Sequence, residues 1–332
     1  MPRNPRTSRA ALALIPLILL PLAGCGAGST QDTGADRGAK APAGFPYTVD
    51  NCGTRTTFDA PPKRAVTMNQ HATELMLALG LRDRIAGTAY LDDKVLPRYR
   101  ADYAKTKVIA KEYPSRETLL GANPDFVYGG YASAFDKAQG RDRAGLQKSG
   151  INTRLNIENC TGGPVGLGQL STEITQVART FGVPGRGRKL IAEQKEKIAA
   201  VEAKLKGADR PSVFVYDSGD SSAFTAGGSG IGNEIVSLAG GTNVFADLGK
   251  SFGDVSWEQV IKRRPQVVVV YDYGGTSVAA KKKRLLGDPA LKDVPAIRNR
   301  RFAVLPLSSA VLGVRVADAV GDLAAQLHPD AG

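Results

Sequence analysis

The chain has 332 residues, a formal charge of +12, two histidines and three cysteines. Two histidines are too few for a zinc or manganese centre built on converging imidazoles, and they leave little for a hydrolytic triad. A basic balance of this size raises nucleic acid as a partner, and the N-terminus answers that question.

Arg3, Arg6 and Arg9 form a basic region, and Ala10 to Leu22 an apolar one interrupted by Pro16 and Pro21. The run is too short to span a bilayer as a helix and reads as a signal peptide. It ends in Leu22-Ala23-Gly24-Cys25, which resembles a bacterial lipobox. That resemblance implies cleavage after residue 24 and a diacylglycerol on the Cys25 thiol. Residues 25–44, rich in Gly, Ser, Thr, Ala and Pro, are expected to be a flexible tether to the membrane. Removing residues 1–24 takes away three arginines and no acids, so +12 becomes +9. An exported lipoprotein does not meet nucleic acid, so the excess is read as a cation-rich surface. With Cys25 carrying lipid, Cys52 and Cys160 remain in an oxidising compartment, where a disulfide between them is expected.

From residue 45 onward the chain is long enough for two α/β lobes with separate cores. Ala65 to Met68 reads as a strand, and Asn69 to Glu74 opens a helix that Gly80 stops. Residues 85–90 and 107–110 are further strands. Ser115 is the expected N-cap of a helix through ETLLGA, and Pro124-Asp125 leads into the strand FVYGG. Residues 139–149 are helical in pattern, 152–157 a strand and 168–182 a helix. In the second half, 212–216 is a strand followed by a loop over 217–232, and 233–239 is helical. Ser256 opens another helix, VVVVYD (267–272) suits a buried strand, 301–305 is the last strand and 311–327 the closing helix. This alternation predicts parallel sheets covered on both faces, with ligands beyond the carboxyl ends of the strands.

Between the halves lies Arg186 to Lys206, where Leu190, Ile191, Ile198, Val201 and Leu205 recur at helical spacing among Lys and Glu. ETLLGANPDFVY before it and EQVIKRRPQVVVVY after it share a grammar: a short helix, a polar step with proline, an apolar strand. The halves therefore read as an internal repeat joined by one long helix.

PPKRAVTMNQHATELMLALGLRDRIAG, PSRETLLGANPDFVYGG, FTAGGSGIGNEIVSLAGGTNVF and SWEQVIKRRPQVVVV, in this order behind a lipobox, resemble the substrate-binding lipoproteins of ABC importers for siderophores, haem and cobalamin. The resemblance covers nearly all of residues 46–330. It implies an N-terminal lobe (45–183), a bridging helix (186–206) and a C-terminal lobe (210–330), with cargo in the cleft. It also implies a monomer anchored on the extracytoplasmic face, working with a permease dimer and its cytoplasmic ATPase. By position, Glu117 and Glu258 correspond to the glutamates that dock on permease arginines. Cargo positions fall on Asn69, His71, Tyr90, Lys111, Tyr113 and Tyr131 in the first lobe, and on Phe224, Phe252, Tyr271, Tyr273 and Arg315 in the second. Aromatic faces suit flat rings, while Arg315 and Lys111 suit a chelate with negative charge. A ferric siderophore is the expected cargo; cobalamin, haem or an anionic cofactor precursor of deazaflavin type is the alternative. Relatives place tryptophan in the cleft, whereas the single Trp257 here adjoins Glu258 and suits core or rim packing equally. His71, Tyr90 or Tyr131 would serve as an axial ligand to haem.

Other classes fare worse. The sequence Gly227-Gly228-Ser229-Gly230-Ile231 lacks the last glycine of a nucleophile elbow, and Gly228 to Gly232 lacks the third glycine of a dinucleotide loop. No enzyme, no cofactor and no direct metal site is expected. A non-transport lipoprotein that binds an envelope component is the remaining rival, and the amides of the Gly228–Gly232 loop are candidate anion donors.

Overall fold

The computed structural model describes residues 42–160 and 163–330. The expected signal peptide, Cys25 and the expected tether up to residue 41 lie outside the described residues. An antiparallel hairpin, Tyr47–Asn51 (β1) with Thr54–Phe58 (β2), leads into the first lobe. There Ala65–Met68 (β3), Ile85–Ala89 (β4), Val108–Ala110 (β5), Phe126–Gly129 (β6) and Asn152–Leu155 (β7) form an all-parallel sheet of order β5-β4-β3-β6-β7. Gln70–Ala78 (α1), Arg100–Tyr103 (α2), Arg116–Gly121 (α3) and Arg143–Lys148 (α4) make the crossovers, and Leu167–Thr180 (α5) follows. Every residue of β3 and β6 is buried, because a central parallel strand is covered on both faces and needs no alternation.

Pro184–Lys204 (α6) leads to the second lobe, which runs Ser212–Tyr216 (β8), Ala223–Ala226 (β9), Ile231–Leu238 (α7), Thr242–Asn243 (β10), Phe252–Val255 (β11) and Trp257–Arg263 (α8). It continues with Val267–Asp272 (β12), Val278–Gly287 (α9), Pro295–Arg298 (α10), Phe302–Pro306 (β13) and Val316–Leu327 (α11). Strands β10-β8-β12-β13 form a second parallel sheet, and β9 pairs antiparallel with β11. In both sheets the chain winds outward in one direction and then reverses. The reversals lie between β3 and β6 and between β8 and β12, where doubly wound sheets open a crevice for ligand.

α6 starts two residues before the expected Arg186 because Pro184, with its fixed φ and no N–H to lose, occupies the first turn. It ends two residues before Lys206, with Leu205 at its C-cap. Gly187, Leu190, Gln194 and Ile198 face inward. Gly187 allows a close crossing, since a Cβ there would stand 2.6 Å from that of Ala178 on α5. Gln194 ties the helix to the second lobe: its amide donates to Val314 O at 3.0 Å, and its Oε1 accepts from Ala317 N at 3.2 Å. Arg186 donates to the carbonyls of Leu79 and Gly80 in the first lobe. One apolar cluster runs from Ala72, Leu75 and Phe126 through Ile174 and Leu190 to Val213, Val269 and Val320. The outer face of each sheet has its own smaller cluster. A shared inner core and a doubly anchored helix resist wide hinge motion.

Cys52 and Cys160 are bonded, tying the β1–β2 turn to the segment after β7. The bond closes a loop of 108 residues, worth about 4–5 kcal/mol in the chain-entropy account. It also pins the short turn Ile157–Asn159, which carries groups of the candidate site.

Several expectations shift. The span 217–232 is not all loop, since β9 finds its partner β11 some 26 residues further on. The helix expected over 139–149 begins only at Arg143, because Gly140 takes a left-handed φ of 66° and Asp142 caps the helix by accepting from Gly145 N. The closing helix starts at Val316, after turns that carry Leu312 and Arg315.

Candidate functional site

At the first reversal the residues after β3 and β6 touch. Asn69 takes a left-handed φ of 76°, and its carboxamide oxygen accepts from the Tyr113 hydroxyl at 3.1 Å and from Tyr131 N at 3.3 Å. Such a backbone at a non-glycine residue costs free energy, and the network around Asn69 holds it. Tyr90, after β4, is also left-handed at 52° and stacks on Tyr113, centroids 4.5 Å apart. Tyr131 meets His71 edge-on at 4.9 Å. Gly130 must be glycine here, because a Cβ would reach within 2.4 Å of the His71 ring. Burial holds the imidazole below its ordinary pKa, so His71 is neutral, and its Nδ1 has no hydrogen-bond partner. The first lobe thus presents Tyr90, Tyr113 and Tyr131 as a half-buried phenol wall backed by Asn69 and His71.

The second lobe mirrors this. Phe224 on β9 stacks on Phe252 of β11 at 5.8 Å, and Phe252 meets Tyr271 edge-on at 6.3 Å. At the second reversal the Tyr273 hydroxyl donates to Asp217, with Lys281 Nζ 4.5 Å from the Tyr273 ring centre. Burial and the Asp217 carboxylate push the Tyr273 phenol up to about 12.

Polar groups that sequence reasoning did not find join the lobes. Glu158 accepts from Ile231 N, at the start of α7, at 3.2 Å and from Leu312 N at 2.6 Å. The amide expected to be free in the Gly228–Gly232 loop is therefore taken by a carboxylate of the other lobe. Burial drives Glu158 up to about 7, against the two amides that lower it. Asn156 Nδ2 donates to Leu312 O at 2.9 Å.

Arg315 is placed differently from its expected role. Its guanidinium grips Glu74 through two hydrogen bonds of 2.7 Å and donates also to Lys94 O and Ser308 Oγ. Arg315 is 5% exposed and Glu74 0%. The pair spans 241 residues of sequence and joins α1 to the entrance of α11. With its donors committed, Arg315 serves as a clamp between lobes. Tyr271 is likewise buried, at 1% exposure, and its hydroxyl packs against Gly232. Trp257 lies in the core, donating to Asp220 O at 2.8 Å beneath the Arg284 guanidinium. Lys111 is exposed.

Glu117 and Glu258 occupy matching places, each exposed and second in its helix. Ser115 caps α3 by accepting from Thr118 N, and Ser256 caps α8 by accepting from Gln259 N. Beyond the helices, Asn123 and Arg264 both take left-handed φ of 48°, each before a proline. The Ser256 hydroxyl holds the Glu258 carboxyl below its ordinary range.

Among the described residues no three or more His, Cys, Asp or Glu gather to hold a metal ion, and no helix is long and apolar enough to cross a membrane. Surface hollows run along Tyr47, Thr172 and Arg179, and beside Arg210, Arg301 and His328; none of the residues expected to meet cargo lines them.

Two α/β lobes bridged by a helix, with an aromatic group near the sheet reversal of each, have the architecture of a binding protein. The chain belongs to the periplasmic binding protein family, whose model matches residues 66–308. It is 24% identical over 324 residues, 96% of each chain, to an uncharacterized ABC transporter substrate-binding lipoprotein of Bacillus subtilis. It is 26% identical to a cobalamin-binding protein of Halobacterium salinarum, over 78% of this chain and 68% of that one. Among solved structures, a periplasmic binding protein from Veillonella parvula superposes with a TM-score of 0.79 at 32% identity, covering 85% of this chain and 97% of the other.

Proposed function

We propose that this protein is the lipid-anchored, extracytoplasmic receptor of an ABC importer, and that it captures a metal chelate between its lobes. Lobes 45–183 and 210–330 flank the bridging helix, Cys25 carries the anchor, and the receptor works as a monomer. Glu117 and Glu258 dock on the two permease subunits, whose cytoplasmic ATPase drives import. Asn69, Tyr90, Tyr113 and Tyr131 on one side, and Phe224, Phe252 and Tyr273 on the other, meet the cargo; His71 backs the first wall.

The observation that supports this reading is that each lobe carries an aromatic group near its sheet reversal, Tyr90–Tyr113 with His71–Tyr131 in one and Phe224–Phe252 in the other. Stacked rings bury a flat, apolar chelate face without needing a charged partner. The Halobacterium salinarum relative, a cobalamin-binding protein, makes a corrinoid the favoured chelate, with a ferric siderophore or haem as the competing outcome. Titration calorimetry of the delipidated protein against cobalamin, haem and a panel of ferric siderophores tests the reading. One of them should bind at micromolar Kd or tighter, and silence across the panel would sink the receptor reading.

A further inference from the structure

Tyr90, Tyr113 and Tyr131 have an acidic neighbour that the family resemblance did not supply. Asp92 lies two residues past Tyr90, on the loop leaving β4 at the cleft end of the sheet. Its Oδ2 is buried and has no hydrogen-bond partner. Buried carboxylate oxygens are normally satisfied, and one left open beside a candidate binding wall calls for a donor. Burial raises the phenols of all three tyrosines, and the Asp92 carboxylate adds to the rise in each, after Glu112 at Tyr90 and together with Glu158 at Tyr131. The two nearby guanidinium groups are already engaged. Arg315 is clamped on Glu74, and Arg141, behind the Tyr113 ring, donates to the carbonyls of Ala134 and Pro114. The neighbouring Asp93 turns away to Ser308 and Arg315 in the other lobe.

We propose that Asp92 determines specificity by accepting a hydrogen bond from an N–H or O–H group at the rim of the cargo, so that the cleft selects a neutral or cationic chelate bearing amide or amine donors over an anionic one. This rests on the receptor reading above. It replaces the anionic preference that Lys111 and Arg315 implied from sequence. A corrinoid, with a flat metal-bearing ring edged by carboxamides, has the required chemistry; a ferric tris-catecholate, with net negative charge and few donors, does not.

Burial drives Asp92 up to about 6, against its bonds to the Gln70 and Asp92 amides and the Arg315 charge, with Asp93 adding to the rise. The ionised form is the better acceptor, and it dominates above that pH and is lost below it. Affinity for a donor-bearing cargo should therefore rise about tenfold from pH 5 to pH 7.5. The test is calorimetric titration of wild type, Asp92→Asn and Asp92→Ala with cobalamin and with a ferric tris-catecholate at both pH values. The expected result is a wild-type preference for cobalamin and a loss of about tenfold to a hundredfold in Asp92→Ala, as for a hydrogen bond to a charged group. Asp92→Asn should lose that tenfold rise, keeping only what Glu158, raised to about 7, contributes across the interval. Melting temperatures within a degree of wild type would show that the variants fold, and the wild-type pH profile stands independently of them. Tighter binding of the catecholate, or cobalamin binding unmoved in both variants, would overturn the role of Asp92 and leave the receptor reading standing. Silence of the wild type toward cobalamin, haem and the whole panel of ferric siderophores would remove both.

Discussion

Arg315→Ala is expected to destabilise the fold by about 3–5 kcal/mol, the range for removing one partner of a buried ion pair. Glu74 is fully buried, and once the guanidinium is gone its carboxylate keeps only Leu96 N at 2.9 Å and a long bond from Gln70. The clamp joins the lobes, so its loss should also loosen them, raising amide exchange in α1 and in the turns before α11. Urea unfolding at neutral pH measures the first effect. The double variant Glu74→Leu/Arg315→Leu should recover most of the loss, because an apolar pair avoids the desolvation that the single variant leaves uncompensated. A single-variant cost below about 1 kcal/mol would show that the lobes are held elsewhere.

Glu117→Ala with Glu258→Ala is expected to abolish uptake while leaving cargo affinity within about twofold of wild type, since each carboxylate sits on an exposed helix start. Serine capping, the left-handed residue and the following proline recur around both glutamates, so the two surfaces have one local geometry. Two like surfaces suit a permease built of two like halves. Each single substitution should lower uptake by about tenfold or more, as loss of a charge-assisted contact does. Uptake into proteoliposomes holding the permease and ATPase, beside calorimetry on the same proteins, separates docking from binding. Normal uptake in the double variant would remove these residues from the docking surface.

The parts of the fold legible in the sequence were those set by local pattern. AVTM and VVVVYD announce central parallel strands because they are buried on both faces. Ser115 marks its helix through cap chemistry within three residues. Asn69, Tyr90, Tyr113 and Tyr131 were named through the family resemblance, which puts cargo in strand-to-helix loops, and such loops gather at one end of a parallel sheet. The pairing of β9 with β11 was not legible, because a four-residue strand inside a Gly- and Ser-rich stretch takes its identity from a distant partner. The same holds for Glu74 with Arg315 and for Glu158 with Leu312, joined across 241 and 154 residues. Arg315 by itself read as a free cation for cargo; only the fold shows which carboxylate consumes it. The bounds of α6 slipped by two residues at each end because apolar spacing fixes a face more firmly than a terminus.

A crystal structure of the delipidated protein bound to cobalamin, or to whichever chelate titrates tightest, tests cleft binding most directly. The chelate should lie between the Tyr90, Tyr113 and Tyr131 wall and the Phe224–Phe252 pair, with a donor of its rim on Asp92. A chelate seated instead in the hollow along Tyr47, Thr172 and Arg179, with the cleft residues unchanged, would contradict capture between the lobes.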